Sequence, residues 1–433
     1  MSPLTKHPVS PHLLRVTGEV AAVTGSSIVA RLPRASVGDL CYIRTRAGVE
    51  IAAQVIGFND RTFALAPLSE PSGIFPGAQV STFSSSISIG VGEWLKGRVI
   101  NALGEPIDQK ALLVNTNSRR PLYSPSQSTS DRPLIEEVLT TGIRAIDGFC
   151  TLGLGQRIGV FASAGVGKST LLGMLARNAK IDIIVVALVG ERGREVREFI
   201  ETTLGASGLQ RSVVVVATSD EPSMMRQIAP YTATTIAEYF RDSGKNVLLI
   251  IDSLTRMARA VRETSLAAGE LPVRHGYTTS VYTELPKLLE RAGTNSKGSI
   301  TSFCTVLTNE EDDIDPLADE VKSLIDGHLV LKKDFASKGI LPAIDITQSI
   351  SRLFTRLNHS DYVSAARIVI RALTRLVKER EIVLLGGTPD PELAKIMSLE
   401  KELFDLIRQN SNDSPELDTV RDTVTALALR LAC

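Results

Sequence analysis

The chain has 433 residues, 43% of them hydrophobic and 22% charged, and its formal net charge is zero. This length is too great for one ordinary domain and predicts roughly two to four, while the charge balance argues against a nucleic-acid coat or a membrane-covering protein. The four cysteines, Cys41, Cys150, Cys304 and Cys433, lie far apart with no C-x-x-C pair, which speaks against a zinc site or a disulfide framework and for reduced, mostly buried thiols.

In chain order, residues 1–14 hold prolines and little periodicity and are expected to form an irregular leader. They lack the apolar core of a signal peptide, and no apolar run approaches the roughly 18 residues that span a bilayer, so a cytosolic protein is expected. From Arg15 the runs GEVAAV, SIVARL, LCYIRT, EIAAQVIGF and TFALAPL alternate in hydrophobicity between Gly, Asp and Asn turns. That pattern predicts a small all-β domain, a barrel, over residues 15–83. A connector rich in Ser, Pro and Asn comes next, with a strand expected around Trp94 to Ile100.

Beyond Thr140 the pattern becomes α/β. Fully apolar strand candidates recur at Ile158 to Phe161, Ile183 to Val189, Ser212 to Ala217, Val247 to Ile251, Ile300 to Leu307 and His328 to Leu331. Continuous Val/Ile/Leu runs suit strands buried on both faces of a mainly parallel sheet, and such sheets bind ligands at the carboxyl ends of their strands. With the connector, this core is assigned to residues 84–351. Helical periodicity governs the remainder, 352–433, through Tyr362 to Lys378, Pro391 to Gln409 and Pro415 to Leu431.

The first core strand runs into FASAGVGKSTLL, nearly the phosphate-binding pattern G-x-x-x-x-G-K-[ST]. Glycines let successive amides turn towards phosphate oxygens, and the following helix offers a positive N-terminus. Lys168 bridges the outer phosphates and Ser169 ligates Mg²⁺ in this reading. The expected cradle is Ala162, Gly165, Val166, Gly167, Lys168, Ser169 and Thr170, with ATP and Mg²⁺ as ligands. Ala162 stands where the pattern has glycine, which is tolerable if its φ stays negative. The bland alternative is a Gly-rich turn joining strand to helix.

Two carboxylates come at the ends of later strands. Glu191 is either the group that polarises an attacking water or a solvated charge opening a helix; Glu195, four residues on, would share its helical face and its metal. Asp252 is either a water-mediated Mg²⁺ ligand opposite Ser169 or a helix cap. Arg256 and Arg259 come next, placed to hold neighbouring carboxylates. The segment PAIDITQSISR, with Asp345, Ser349 and Ser351, reads locally as an ordinary loop.

Together, GVFASAGVGKSTLL, GERGREVREF, NVLLIIDSLTRMARAVRE, ADEVKSLIDGHLVL and PAIDITQSISR resemble the nucleotide-binding core of the rotary ATPase superfamily. Within it the chain is most similar to the type III secretion and flagellar protein-export ATPases, in which alanine commonly stands at the position of Ala162. The resemblance implies a RecA-like P-loop ATPase core carrying the barrel and the helical domain, and ATP hydrolysis that energises protein export by chaperone release and unfolding of substrates. It implies that Glu191 activates water, that Arg192 contacts the γ-phosphate region, and that Asp252 sits in the outer metal shell. Arg352, after the S-x-S pair, matches an arginine finger inserted into a neighbour's site. One chain that supplies both Glu191 and Arg352 fits a homohexamer of equivalent sites. The implied partners are a central stalk protein, a peripheral stator or regulator, the export gate and chaperone–substrate complexes, with no nucleic acid. The implied location is cytoplasmic, peripheral at the inner face of the cytoplasmic membrane. Two stretches depart from the relatives' pattern: Tyr277, Thr278 and Thr279 replace a Tyr-Pro-Pro, and the Gly386-Gly387 segment lacks an aromatic. Three other readings compete: a rotary proton or sodium ATPase subunit, a ring-shaped RNA helicase, and a nucleotide-binding subunit without catalysis.

Overall fold

The computed structural model describes residues 16–25, 27–82, 86–108, 110, 118–128, 130, 132–308 and 315–432. The expected leader, residues 1–14, and Cys433 lie outside the described residues. Cys41, Cys150 and Cys304 are buried and unpaired by disulfide.

Six strands, Val16–Thr24, Ser27–Arg31, Leu40–Arg44, Glu50–Asn59, Thr62–Pro67 and Gln79–Thr82, close into a barrel in the order first, second, fifth, fourth, third, sixth. Period-2 alternation builds its interior: Cys41 and Ile43 point inwards from one strand, and Ala53, Val55, Phe63, Leu65 and Val80 meet them from the others. Closure leaves no strand edge exposed for pairing with other chains.

The α/β part is one sheet with strand order Ile350–Ser351, Gly327–Leu331, Arg157–Ala162, Ser299–Leu307, Asn246–Asp252, Ile183–Val189, Ser212–Ala217 and Arg98–Asn101. Every pairing along this path is parallel except the first, where Ile350–Ser351 runs antiparallel to its neighbour. All of Ile183–Val189 is buried, and the strand's alternation sorts it between two apolar layers. Ile184, Val186 and Leu188 pack with Leu171, Leu172, Met174 and Leu175 of helix Lys168–Asn178. Ile183, Val185 and Ala187 face Met224, Ile228 and Ile236 of helix Ser223–Asp242 and Met257 and Val261 of helix Leu254–Ala267. Continuous apolar runs are what such two-sided burial requires.

Two expected elements differ in detail. The connector strand begins only at Arg98, because Glu93–Leu95 is a 3-10 turn and Gly97, at φ 75°, reverses the chain through a conformation open to glycine. The stretch from Pro391 to Gln409 is two helices, Pro391–Ser398 and Glu400–Asp405, broken at Leu399, whose φ and ψ are −102° and 9°. The break turns Leu403, Leu406 and Ile407 into the same apolar layer as the helix Lys168–Asn178. Helices Ser360–Leu384 and Leu417–Ala432 complete the C-terminal part. Gln409 ties that part to the core, its side-chain amide donating to the Gly142 carbonyl at 2.8 Å and its backbone amide to the Leu341 carbonyl at 2.7 Å.

Candidate active site

The apolar strand Arg157–Ala162 ends against the loop that precedes helix Lys168–Asn178. Ala162 is 1% exposed and belongs to the strand. Among the described residues the non-glycine positions with positive φ are Asp60 and His275, so Ala162 keeps the extended backbone that an L-residue tolerates. The left-handed turns fall instead on Gly165 (φ 81°) and Gly167 (φ 90°), which explains both glycines. Val166, 1% exposed, pins the loop to the core between them. Ser169 and Thr170 are both exposed on the first helical turn, where amides lack intrahelical partners and the helix dipole is positive. Loop and helix start therefore offer donors and positive potential to an anion.

Lys168 extends from that turn to the ends of two neighbouring strands. Its Nζ bonds the Asp252 carboxylate and stands 3.6 Å from Glu191 Oε1. Asp252 is 3% exposed, and its Oδ1 accepts a 2.7 Å hydrogen bond from Thr305 Oγ1 on the adjacent strand. The helix cap that a strand-terminal aspartate often supplies comes here from Ser253, whose Oγ accepts from the Arg256 amide at 3.3 Å. Asp252 is thereby free to face Lys168.

Glu191 is 8% exposed, which excludes the reading of a solvated charge. Arg256 Nη1 lies 2.5 Å from Glu191 Oε2 and donates to the Gly190 carbonyl at 2.6 Å, so one guanidinium fixes both the carboxylate and the backbone that carries it. Burial raises the Glu191 pKa, and the hydrogen bond with Glu195 and the Asp252 charge push the same way, against Lys168 and Arg256. The shared hydrogen bond lowers the Glu195 pKa. The helix begins at Gly193, after Glu191. The two glutamates thus do not share a helical face; Glu195 reaches back to its partner from the first turn. Arg192 is exposed and pairs with Glu195 at 3.2 Å.

Arg352 lies away from this cluster. The phosphate loop leaves the sheet at Ala162, which pairs with Leu331, whereas Ser351 pairs with Gly327 at the other end of that strand. The Arg352 amide donates to the Asp326 carbonyl at 3.0 Å. Four residues of strand separate the two levels, about 13 Å along the sheet, and the Arg352 side chain is exposed. The segment that presents it is stitched to the sheet edge by its own polar residues. Asp345 accepts from the Thr347 amide and hydroxyl at 2.9 and 2.6 Å. The Ser349 hydroxyl bridges the Asp345 carbonyl and the Val330 amide, and Ser351 Oγ donates to the Thr151 carbonyl at 2.8 Å. Read alone, the loop gave no hint of this stitching. Thr305 and its neighbour Thr255, whose Oγ1 accepts from the Leu307 amide at 2.8 Å, were also missed; the one signal was hydroxyls set in otherwise apolar or arginine-rich runs.

The oxygen donors near the loop suit a hard cation. Among the described residues no three His, Cys, Asp or Glu side chains group as a metal cage. Mg²⁺ commonly takes one or two carboxylates plus substrate phosphates, and Ser169 with Asp252 fits that manner of binding.

Residues 142–351 match the nucleotide-binding domain of the ATP synthase alpha/beta family. Over 415 residues the chain is 43% identical to the flagellum-specific ATP synthase of Bacillus subtilis (strain 168), covering 95% of this chain and 94% of that one. It is 46% identical over 370 residues to the type 3 secretion system ATPase of Xanthomonas euvesicatoria, covering 85% and 84%. Among solved structures, the assembled ATPase EscN of the enteropathogenic E. coli type III secretion system superposes with a TM-score of 0.90 at 41% identity, over 95% of this chain and 100% of that one. The same ATPase in complex with its central stalk EscO gives a TM-score of 0.86 at 40% identity, again over 95% and 100%. With its nucleotide-binding core, barrel and helical region all within these matches, the chain belongs to the ATP synthase alpha/beta family, in the branch of flagellar and type 3 secretion ATPases.

Proposed function

We propose that this chain hydrolyses ATP to energise protein export at a type III secretion or flagellar export apparatus, as one subunit of a homohexameric ring. The observation that carries the reading is the convergence of Lys168, Asp252, Glu191 and Arg256 beside a loop whose left-handed positions are both glycine. The loop amides, the helix start and Lys168 bind and orient the nucleotide's phosphates. Ser169 and Asp252, with Glu195 nearby, would hold Mg²⁺, which would supply charge neutralisation at the phosphates. Lys168, now shared between Asp252 and Glu191, turns to the outer phosphates, and Glu191, braced by Arg256, orients the attacking water and accepts its hydrogen bond. Arg192 borders the γ-phosphate region.

Arg352 completes the site of the next subunit. Its position at the far end of the strand from the chain's own phosphate loop supports action in trans, and a ring of heterologous contacts gives every site one such arginine. The assembled form of EscN and its complex with a central stalk support the ring and a stalk partner for this chain. A peripheral stator or regulator, the export gate and chaperone–substrate complexes complete the proposed partners, at the inner face of the cytoplasmic membrane. Among the described residues no helix is long and apolar enough to cross a membrane, which accords with attachment through the apparatus.

The test is Glu191→Gln in the full chain. Nucleotide affinity should stay near wild type while hydrolysis falls by about 10²–10⁴, the usual worth of a positioned acid–base group. Hydrolysis at the wild-type rate would remove Glu191 from the reaction.

A further inference from the structure

The segment leaving Glu191 does not continue as a regular helix. Gly193–Glu198 is α-helical, Phe199–Leu204 forms a single π-helical turn, and Gly205, at φ 65°, opens a last helix that ends at Gln210. Its outer side, Arg194, Arg197, Glu198, Glu201 and Thr202, is exposed. Its inner side, Val196, Phe199 and Leu204, is buried in the layer built by Leu171, Leu172, Met174 and Leu175 of the phosphate-loop helix. Single π turns recur at functional sites, because the extra residue re-aims the side chains after it.

The π turn aims Thr203 at Gly173. A methyl placed on Gly173 would lie 2.1 Å from Thr203 Cγ2, 3.2 Å from Arg177 Nη1 and 3.4 Å from the Thr203 carbonyl oxygen. One turn further along the phosphate-loop helix, Arg177 donates to the same carbonyl. Beyond the segment, Arg211 Nη2 closes the end of that helix by donating to the carbonyls of Ala176, Arg177 and Ala179 at 2.7, 3.1 and 3.2 Å. Glycine in a helix interior costs about 0.5–1 kcal/mol relative to alanine, and here the approach of Thr203 accounts for it. With one residue fewer in the turn, Thr203 would rotate by about 100° and lose Gly173.

We propose that Gly173 and Thr203 are a pair of positioning residues: their contact, set by the π turn, fixes the depth at which the Glu195–Glu191 pair sits beside Lys168. The phosphate-loop helix is held by buried leucines on the sheet, so the 193–204 segment, whose outer side is exposed, is the part that yields when the contact is disturbed. Disturbing it displaces the partner of the water-orienting glutamate and leaves the phosphate cradle in place. This rests on the role assigned to Glu191 above.

The experiment compares full-length wild type, Gly173→Ala, Thr203→Ala and the double variant in steady-state MgATP hydrolysis, binding of a fluorescent ADP analogue, and thermal melting. Gly173→Ala should lower kcat about tenfold or more, as a misplacement of about 1 Å can, with ADP affinity within about twofold of wild type. Adding Thr203→Ala moves the methyl from one side of the contact to the other and should restore kcat to within about threefold of wild type. Should Gly173→Ala not fold, Thr203→Ala alone, which loosens the contact without crowding, should lower kcat by about two- to fivefold at unchanged ADP affinity. Wild-type kcat in the folded single variants overturns the proposal, as does a Gly173→Ala loss that tracks ADP affinity and melting and is not rescued. Glu191→Gln in parallel separates the two ideas: if it is inactive while Gly173→Ala is normal, only the positioning role fails.

Discussion

Replacing Arg352 by alanine tests whether each site is built from two subunits, and the fold sets the expected outcome. The side chain is exposed and makes no hydrogen bond or ion pair among the described residues, while the backbone amide that holds the position is untouched by the substitution. Stability should therefore change by no more than about 0.5 kcal/mol, as for other surface sites without special contacts. An arginine finger carries about 10³–10⁵ in rate, equivalent to about 4–7 kcal/mol of barrier. Arg352→Ala should accordingly be nearly inactive with an unshifted melting temperature. The decisive assay mixes Arg352→Ala with Glu191→Gln, each inactive alone. In rings assembled at random from equal parts, about one interface in four joins an intact Glu191 to an intact Arg352. Hydrolysis should then return to about a quarter of the wild-type rate if the sites turn over independently. Subunit exchange is monitored in parallel by energy transfer between labelled chains. Confirmed exchange with hydrolysis still at background would refute action in trans, whatever the activity of the single variants.

Two further expectations concern stability. Arg291 is 1% exposed and bonds both oxygens of Glu238, Thr235 Oγ1 and the Leu122 carbonyl; Arg291→Met should cost about 3–5 kcal/mol by stranding Glu238, read by denaturant unfolding, and a loss below about 1 kcal/mol would show that the pair is replaceable. Asp390 caps helix Pro391–Ser398 through the Leu393 amide at 2.8 Å. That amide and then Arg375 hold its carboxyl below its ordinary pKa. A depressed pKa in the folded state stabilises above the unfolded value, about 3.9, and this stabilisation is lost as pH falls through the folded value. Asp390→Ala should thus melt below wild type at pH 7, with the gap closing in acid; a gap independent of pH would deny the ionised cap.

Legibility in the sequence depends on which interactions are local. The phosphate loop was readable because its requirements, glycine at left-handed positions and lysine at a helix start, fall within consecutive residues. The core strands were readable because two-sided burial writes itself as unbroken apolar runs; Ile183 to Val189 and Ser212 to Ala217 were placed to the residue. Partnerships across the sheet were not. Nothing in GSITSFCTVL says that Thr305 holds Asp252, since that contact needs the pairing of Ile251 with Cys304. Likewise DSLTR does not reveal that Ser253 takes the cap and leaves Asp252 to Lys168. The helical pairing of Glu191 with Glu195 failed for a local reason: the helix starts two residues later than the spacing argument assumed. The π turn and the contact it makes have no signature in sequence, because the glycine that Thr203 meets lies on another helix.

The arrangement of Lys168 bears on how the proposed ring would be controlled. A cation bonded to one carboxylate and 3.6 Å from another has its charge largely satisfied inside the subunit, so phosphates must outcompete Asp252 for it. Exchanging one anion for another would cost little where Asp252 helps to hold a divalent cation, but binding without one would leave Asp252 facing phosphate as well as Glu191. The cluster therefore favours the metal-bound nucleotide over the free one through like-charge repulsion in a site where Asp252 is 3% exposed and screening is weak. Arg256 strengthens the same selection: by holding Glu191 at 2.5 Å it keeps that carboxylate from swinging to Lys168 when the phosphates arrive. On the proposed mechanism Lys168 would be handed from protein to substrate only when Asp252 gains another positive partner, and the second requirement for turnover, Arg352, would come from a different copy of the chain. One condition would then be read within a subunit and the other between subunits, which would confine ATP hydrolysis to assembled rings loaded with the metal complex.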